Sequence, residues 1–559
     1  MAKTVRFYTL GCKVNQYDSE AMLEIFLAGG YRPAPPNAPA DVFVVNTCTV
    51  TGTGDQKSLK AARRYLRQNP GGELIVAGCL AQRMGEQLRD TGARLILGTQ
   101  YRARVVELLE AAVAAGTQTV AVESLQSAPF EPLTIRAHEG HTRAVMKIQE
   151  GCDNRCAYCI IPSVRGAVRS KPVEDVLTEA RALADAGFSE LVLTGVHLTS
   201  YGRDLPGGPK LTDAIRAVHA VPGVRRIRLG SLEPAAVNAA FVDAVANLPK
   251  LCPQFHLSLQ SGSDAVLARM RRQYQTDGFL AAVERIRRAY PDAALTTDVI
   301  VGFPGETDEE YEQTEAFCRQ VGFMKLHVFP YSRRAGTPAA DMPDQVPQPV
   351  RDARAQQLIA FGGELSAAYR RGLLGSVQPV LLEQRMPDGS MVGYTPQYVS
   401  VTCPGGTQGE ILSLRLTALT QEGTMGERVE FNEEEHPMVT EEATAMDDCL
   451  FCQIIKGDIP SRKIYEDEDT FAFHDIHPQA RAHALVVSKK HAADLSRNAE
   501  LSDRELAACL RACAAVAREL GLEEGGYRVV NNCGENACQT VRHLHFHVMG
   551  GEKLSERMA

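Results

Sequence analysis

The chain has 559 residues, a formal net charge of -8 at neutral pH, fifteen Cys and no Trp. That length exceeds what one core serves and calls for three or four domains, and the acidic balance excludes a globally basic nucleic-acid binder, leaving any RNA contact to a local basic surface. No run of eighteen apolar residues occurs and residues 1–10 lack the build of a signal peptide, so a soluble cytoplasmic protein is expected, in which short-spaced Cys read as metal chemistry before disulfides.

From the start, apolar runs at 5–10, 42–46, 74–77 and 95–97 alternate with helical stretches, which predicts a small parallel α/β sheet over residues 1–125. Cys12, Cys48 and Cys79 each lie just past one of these strands. Carboxyl ends of parallel strands face one crevice, so three thiols distant in sequence converge there. A polar connector with Pro129 and Pro132 follows at 125–140.

Next comes Cys152-Asp153-Asn154-Arg155-Cys156-Ala157-Tyr158-Cys159. Three thiols at this spacing reach three irons of a cubane cluster and leave the fourth open, the arrangement of a catalytic centre. The alternative is a zinc knuckle or buried structural thiols. Together with Thr9-Leu10-Gly11-Cys12-Lys13-Val14-Asn15-Gln16, Val45-Asn46-Thr47-Cys48-Thr49-Val50-Thr51 and Ala77-Gly78-Cys79, the motif resembles the methylthiotransferase family of radical S-adenosylmethionine (SAM) enzymes. The resemblance implies a radical cluster on Cys152, Cys156 and Cys159 that binds SAM at its open iron and yields a 5'-deoxyadenosyl radical. It also implies a second [4Fe-4S] cluster on Cys12, Cys48 and Cys79 that carries sulfur, a second SAM as methyl donor, and an electron donor.

Strand-then-helix units recur at 144–149, 190–194, 225–230, 255–259, 294–301 and 325–329, and six of them suit an incomplete (β/α)6 barrel over 138–370 with its site at the carboxyl ends of the strands. The candidate SAM contacts are Tyr158 in the Cys motif, Gly195, Glu233, Gln260 and Asp298 at strand ends, and Gly302 in a glycine-rich turn. Each strand-end residue is equally a plain turn residue. Arg333 and Arg334 form a cationic rim suited to phosphate, or a solvated edge.

Five short runs over 371–433, at 377–382, 391–394, 399–402, 411–416 and 428–431, predict a small β-barrel. Placed here it resembles the RNA-binding TRAM domain, with Tyr394, Tyr398, Arg385 and Arg415 as contact candidates, or else it is a packing module. An acidic linker at 434–446 precedes a last domain at 447–559. There the run His543-Leu544-His545-Phe546-His547 places three imidazoles on one strand face at period two. With His474-Asp475-Ile476-His477-Pro478 it resembles the histidine triad family, an α+β fold that binds a purine nucleotide and is commonly dimeric. The resemblance makes His545 the nucleophile, His547 and His483 its partners, Asp475 the ribose ligand, and Asn531 and Gln539 the phosphate-pocket lining. It also gives Cys449, Cys452, His491 and His543 to zinc; two unliganded thiols are the alternative.

The expected protein is thus an α/β multidomain tRNA-modifying enzyme. The Cys12 and Cys48 motifs look most like the branch that acts on N6-threonylcarbamoyladenosine at position 37 of the anticodon loop. Isopentenyladenosine in tRNA and a ribosomal protein remain the alternatives within the family. Outside it stands a histidine triad hydrolase carrying a non-catalytic iron-sulfur, RNA-binding scaffold.

Overall fold

A computed structural model describes the chain except residues 1, 36–37, 127, 137–141, 430–448, 476–477, 496–500, 535–536, 538, 540 and 555–559. The linker expected at 434–446, and Ile476 and His477, lie outside the described residues. The chain divides into two compact units, 1–429 and 430–559.

The first unit begins with strands β1 (Thr4–Thr9), β2 (Arg32–Pro33), β3 (Val42–Thr47), β4 (Glu73–Gly78), β5 (Leu95–Leu97) and β6 (Thr119–Ala121). They form one all-parallel sheet in the order β2-β1-β3-β4-β5-β6. β3 is buried at every position, as an uninterrupted apolar run between helices should be. Helices Lys13–Ala28 and Val105–Ala115 cover one face, where Val5, Val44, Ile75 and Leu97 pack with Phe26 and Leu109, and helix Gly52–Gln68 covers the other. Each such side chain contributes roughly 1.5–3 kcal/mol by leaving water.

The barrel strands are β7 (Arg143–Glu150), β8 (Arg169–Ser170), β9 (Glu190–Gly195), β10 (Arg226–Leu229), β11 (Gln254–His256), β12 (Ala294–Val301) and β13 (Lys325–Pro330). β10-β9-β7 and β11-β12-β13 are parallel ladders, and the parallel bridges Ile227 to Leu251 and Leu232 to Leu257 join them into an open barrel of six parallel strands. The short β8 lies antiparallel on the free edge of β7.

The connector at 125–140 differs from the polar tether expected. Leu125, Leu133 and Ile135 are buried, and Glu131 pairs with buried Arg102 at 2.8 Å. Apolar residues spaced two apart inside a Pro-rich stretch insert into the seam while the backbone stays irregular.

Strands β14 (Val377–Arg385), β15 (Ser390–Tyr394), β16 (Ser400–Pro404), β17 (Ile411–Leu419) and β18 (Thr424–Arg428) close a barrel in the order β14-β15-β16-β18-β17. The last strand starts four residues before the expected 428–431. A tight turn in which Thr420 and Gly423 exchange hydrogen bonds starts it early, and Gly426 is required where a Cβ would lie 2.6 Å from Val401. Tyr394 and Tyr398, expected at an RNA surface, stack on each other at 4.7 Å and take Arg143 and Arg228 over the Tyr398 ring, so they seal the base of the six-stranded barrel.

In the second unit, β19 (Lys463–Glu466), β20 (Thr470–His474), β21 (Ala482–Ser488), β22 (Tyr527–Val530) and β23 (His545–Gly550) form an antiparallel sheet in the order β19-β20-β21-β23-β22. Helix Asp503–Glu519 lies on it, capped by the Ser502 hydroxyl and Glu505. Among the described residues no helix is long and apolar enough to cross a membrane.

Candidate functional site

The first thiol trio sits at the carboxyl edge of the N-terminal sheet. Cys12 is the N-cap of helix Lys13–Ala28 and Cys79 opens helix Cys79–Met84, so both thiols start from the turn between a strand and a helix. Gly11 (φ +106) lets Cys48 close in: a Cβ there would lie 3.2 Å from the Cys48 Sγ. At Gly78 (φ +93) a Cβ would stand 2.4 Å from Asn46 Oδ1, so only glycine passes. The thiols are near enough to act on one another's ionisation; burial pushes Cys48 up and Cys79 to about 11.

Cys152, Cys156 and Cys159 lie in the loop after β7, pinned by Ala157 N–H to Met270 O at 2.9 Å and Cys159 N–H to Cys156 O at 3.1 Å. Burial raises Cys152 to about 11 and Cys159 to about 12. Among the described residues, groups of donors that all fall within 4.8 Å of one another occur only in the second unit. Neither trio is drawn tightly enough for one tetrahedral ion, whose sulfurs stand roughly 3.8 Å apart, whereas a cubane offers each thiol its own iron and suits wider-set sulfurs. Three thiols in each trio are the donor set that an open cluster would take. The trios share a wall: Cys79 packs against Ile160 and Val164, just beyond Cys159.

Two arginines that sequence reasoning passed over touch one sulfur of each trio. Arg165 donates from Nε to Cys79 Sγ at 3.1 Å, and Arg272 from Nη1 to Cys156 Sγ at 3.1 Å. Arg272 is held by both oxygens of Glu233, at 2.8 and 2.6 Å. Arg165 belongs to a buried network of three cations and three carboxylates: Arg102, Lys147 and Arg165 against Asp18, Glu131 and Glu150. Burial pushes the Glu150 carboxyl up, but Arg102, Lys147 and Arg165 outweigh it and hold it well below the usual range. This network ties the N-terminal sheet to β7. Arg165 stands between Val164 and Gly166 with no neighbouring charge, and Arg272 reads only as half of an Arg271-Arg272 pair, so neither carries a local signal.

Of the expected SAM contacts, Glu233 stands beside the Cys156 trio through Arg272 and lies 3.7 Å from His197 Nε2. His197 in turn meets Asn154 of the Cys motif at 3.1 Å, and its N–H is taken by Gln149, the residue that crowds Gly195. Tyr158 packs edge-on to Phe303, next to Gly302. Gly302 (φ +68) has Arg351 where a Cβ would be, so helix packing alone demands glycine there. Gln260 holds a left-handed backbone (φ +68), bonded to Asp298 O at 2.9 Å. Asp298 stands 3.5 Å from His256 inside the barrel. Lys13, open to solvent yet walled by protein, is pushed down to about 8 by burial and then by Arg228 and Arg143. Arg334 is no open rim: it is buried and pairs with Asp55 at 2.6 Å and the Thr49 hydroxyl at 2.8 Å, strapping the barrel to the loop of Cys48.

In the second unit His545 and His547 share one face of β23, with rings 5.1 Å apart. His543 does not continue that face. Its N–H goes to Val541 O and that of Leu544 to Ala492 O, so the sheet ladder begins only at His545. His543 turns instead to the thiols. Cys449, Cys452, His491 and His543 all lie within 4.8 Å of one another, with His543 Nδ1 3.2 Å from Cys449 and His491 Nδ1 3.4 Å from Cys452. His543 Nε2–H donates to Ser488 O at 2.7 Å, which fixes the ring and leaves the Nδ1 lone pair toward the thiols, as a metal-binding imidazole requires. Burial pushes its pKa down to about 4. Two thiols and two imidazoles at this separation fit tetrahedral zinc.

A backbone donor fixes the other ring nitrogens. Gln479 N–H donates to His483 Nδ1 at 3.1 Å, so His483 carries its proton on Nε2 and donates to His547 Nδ1 at 2.9 Å. His547 then presents Nε2–H, which is buried and has no partner among the described residues. His545 donates from Nδ1 to His543 O at 2.7 Å, which frees its Nε2 lone pair. Burial lowers all three, His547 to about 4, so the triad is neutral at pH 7. Asp475 lies 3.5 Å from His483. Asn531 holds His545 O at 2.7 Å and has a buried Oδ1 with no partner among the described residues. Gln539 spends its amide on Ala493 O and Val541 O, closing its loop.

Family models match at residues 4–98 (uncharacterized protein family UPF0004), 146–318 (radical SAM superfamily) and 456–554 (HIT domain). The chain is 40% identical over 423 residues to the threonylcarbamoyladenosine tRNA methylthiotransferase MtaB of Bacillus subtilis, covering 74% of this chain and 93% of that protein. It is 36% identical to the MtaB of Thermotoga maritima, covering 78% and 99%, and 37% identical to the tRNA-2-methylthio-N(6)-dimethylallyladenosine synthase of Akkermansia muciniphila, covering 74% and 96%. A solved histidine triad protein from Clostridium difficile is 41% identical over 20% of this chain and 96% of its own, with a TM-score of 0.19. On these matches the chain belongs to the radical SAM tRNA methylthiotransferase family and carries a C-terminal HIT domain.

Proposed function

We propose that the chain methylthiolates C2 of N6-threonylcarbamoyladenosine at position 37 of tRNA, consuming two SAM and using two [4Fe-4S] clusters and an external electron donor. One observation carries the reading: two trios of thiols meet at the wall formed by Cys79, Ile160 and Val164, the last two just beyond Cys159. When bound, the clusters and SAM supply the carbon radical and the sulfur. The chain's own residues do the rest. Arg272 and Glu233 hold the Cys156 edge, Arg165 holds Cys79, and Asn154, His197 and Gln149 tie the Cys loop to the ends of β7 and β9. Choice of threonylcarbamoyladenosine over the dimethylallyl substrate is favoured by the names of the first two relatives. In tRNA from cells lacking the gene, the 2-methylthio mass increment should vanish from the threonylcarbamoyl nucleoside alone. Its persistence, or its loss from the isopentenyl nucleoside, would overturn the assignment.

For the second unit the reading is a zinc-bearing nucleotide phosphoramidate hydrolase that dimerises through this unit. His545 Nε2 attacks the α-phosphorus, the P–N bond of the substrate breaks, and His547 Nε2–H donates to the leaving group or a phosphate oxygen. Water then cleaves the nucleotidyl-imidazole. Asp475 is assigned to the ribose of a purine nucleotide.

A further inference from the structure

We infer that the exposed face of helix Gly52–Gln68 is the surface that grips the phosphate backbone of the tRNA stem. The inference rests on the family reading that tRNA is the substrate. The helix starts four residues after Cys48, its first turn capped by Thr51 and pinned where Gly52 N–H meets the Ser332 hydroxyl at 3.2 Å, so it leads outward from the rim of the first trio. Ser58, Ala62 and Tyr65 are buried, and Tyr65 stacks flat on Phe43 at 4.1 Å. At 3.6 residues per turn the opposite side gathers Lys57, Lys60, Arg63, Arg64 and Arg67 into one stripe about 15 Å long. All five are exposed, and Lys60, Arg63 and Arg67 line a shallow groove of about 290 Å³.

The stripe is unpaired. Asp55, the only acid of this helix, is turned away to Arg83 at 3.2 Å and Arg334 at 2.6 Å. Among the described residues none of the five cations forms an ion pair, whereas exposed Arg89, Arg104 and Arg319 of this unit are each paired with a Glu on their own helical turn. In a chain of net charge -8, five uncompensated cations on one face ask for a polyanion. The small barrel offers less: Arg385 and Arg415 donate to Gly406 O and Gly375 O, Arg428 lies 3.6 Å from Glu410, and its stacked tyrosines are engaged with Arg143 and Arg228.

The test measures tRNA affinity against salt for the reconstituted full chain and two variants. In one, Lys57, Lys60, Arg63, Arg64 and Arg67 all become Gln; in the other the lysines become Arg and the arginines Lys. The Gln variant should bind at least about tenfold more weakly, with a log-log salt slope shallower by roughly 2 or more, since each lost phosphate contact removes about 0.7–0.9. The swapped variant should keep the parent's slope, because phosphates read charge here. Matching iron content and melting temperature verify the fold; if the Gln variant fails them, Arg64→Glu alone should flatten the slope. A Gln variant with the parent's affinity and slope overturns the inference and leaves the face to an acidic protein. A parent that binds no tRNA overturns the family reading instead.

Discussion

The thiol sites of the two units differ in what is left over once the protein's own donors are counted. In the second unit Cys449, Cys452, His491 and His543 come within 4.8 Å of one another, four donors that would complete a tetrahedral site. In the first, each trio offers three thiols that are not drawn within 4.8 Å of one another, and an arginine donates to one sulfur of each. Closed sites hold structure, and open sites do chemistry. The loops differ accordingly: the quartet is gathered by a helix start and two loops around β21, while the trios hang on parallel strand ends that already face a common crevice.

The sharpest way to break this contrast is to remove one ligand from each kind of site. Cys152→Ala should cut 5'-deoxyadenosine formation by more than about a hundredfold, since an open cluster has no ligand to spare. Cys449→Ala should leave that reaction untouched, lose zinc, and lower the unfolding free energy of the second unit by on the order of several kcal/mol, read as a drop in its melting temperature. If Cys449→Ala instead leaves melting and zinc content unchanged, the quartet is not a structural site. Next in size, Arg102→Ala leaves Asp18, Glu131 and Glu150 underpaired in a dry interior and should cost about 3–5 kcal/mol in denaturant unfolding of the first unit.

The outline of this contrast was legible in the sequence because it rests on local spacing. The Cys motifs, the six barrel strands and the pair His545 and His547 are all patterns of three to eight residues. What stayed hidden depends on distant partners. Arg165 and Arg272 look like any surface arginine until folding sets them on Cys79 and Cys156. Arg334 reads as an open rim until Asp55 covers it, and His543 reads as a third strand residue until Ser488 and Val541 pull it out of register.

A smaller effect sharpens the comparison at the arginines. Arg165→Ala and Arg272→Ala should each reduce cluster occupancy or turnover by about 10–100-fold, as loss of outer-shell partners does, with Lys recovering part of it. Iron content and the cluster's redox midpoint report this apart from turnover. Smallest is a pH effect in the second unit. The folded state holds His483, His545 and His547 neutral, below the ordinary value near 6.5. The unfolded chain therefore binds more protons as pH falls from about 6.5 toward about 4, so stability should fall across that window and be level above it. His547→Gln should flatten the dependence. Melting that holds constant from pH 7 to 4.5 would contradict the neutral triad.

The most direct measurement of the central claim is the iron content of the anaerobically reconstituted chain beside a variant with Cys12, Cys48 and Cys79 all changed to Ala. Two open cubanes predict about eight irons in the parent and about four in the variant, with SAM cleavage retained. A parent holding four irons, or a variant still holding eight, would contradict it.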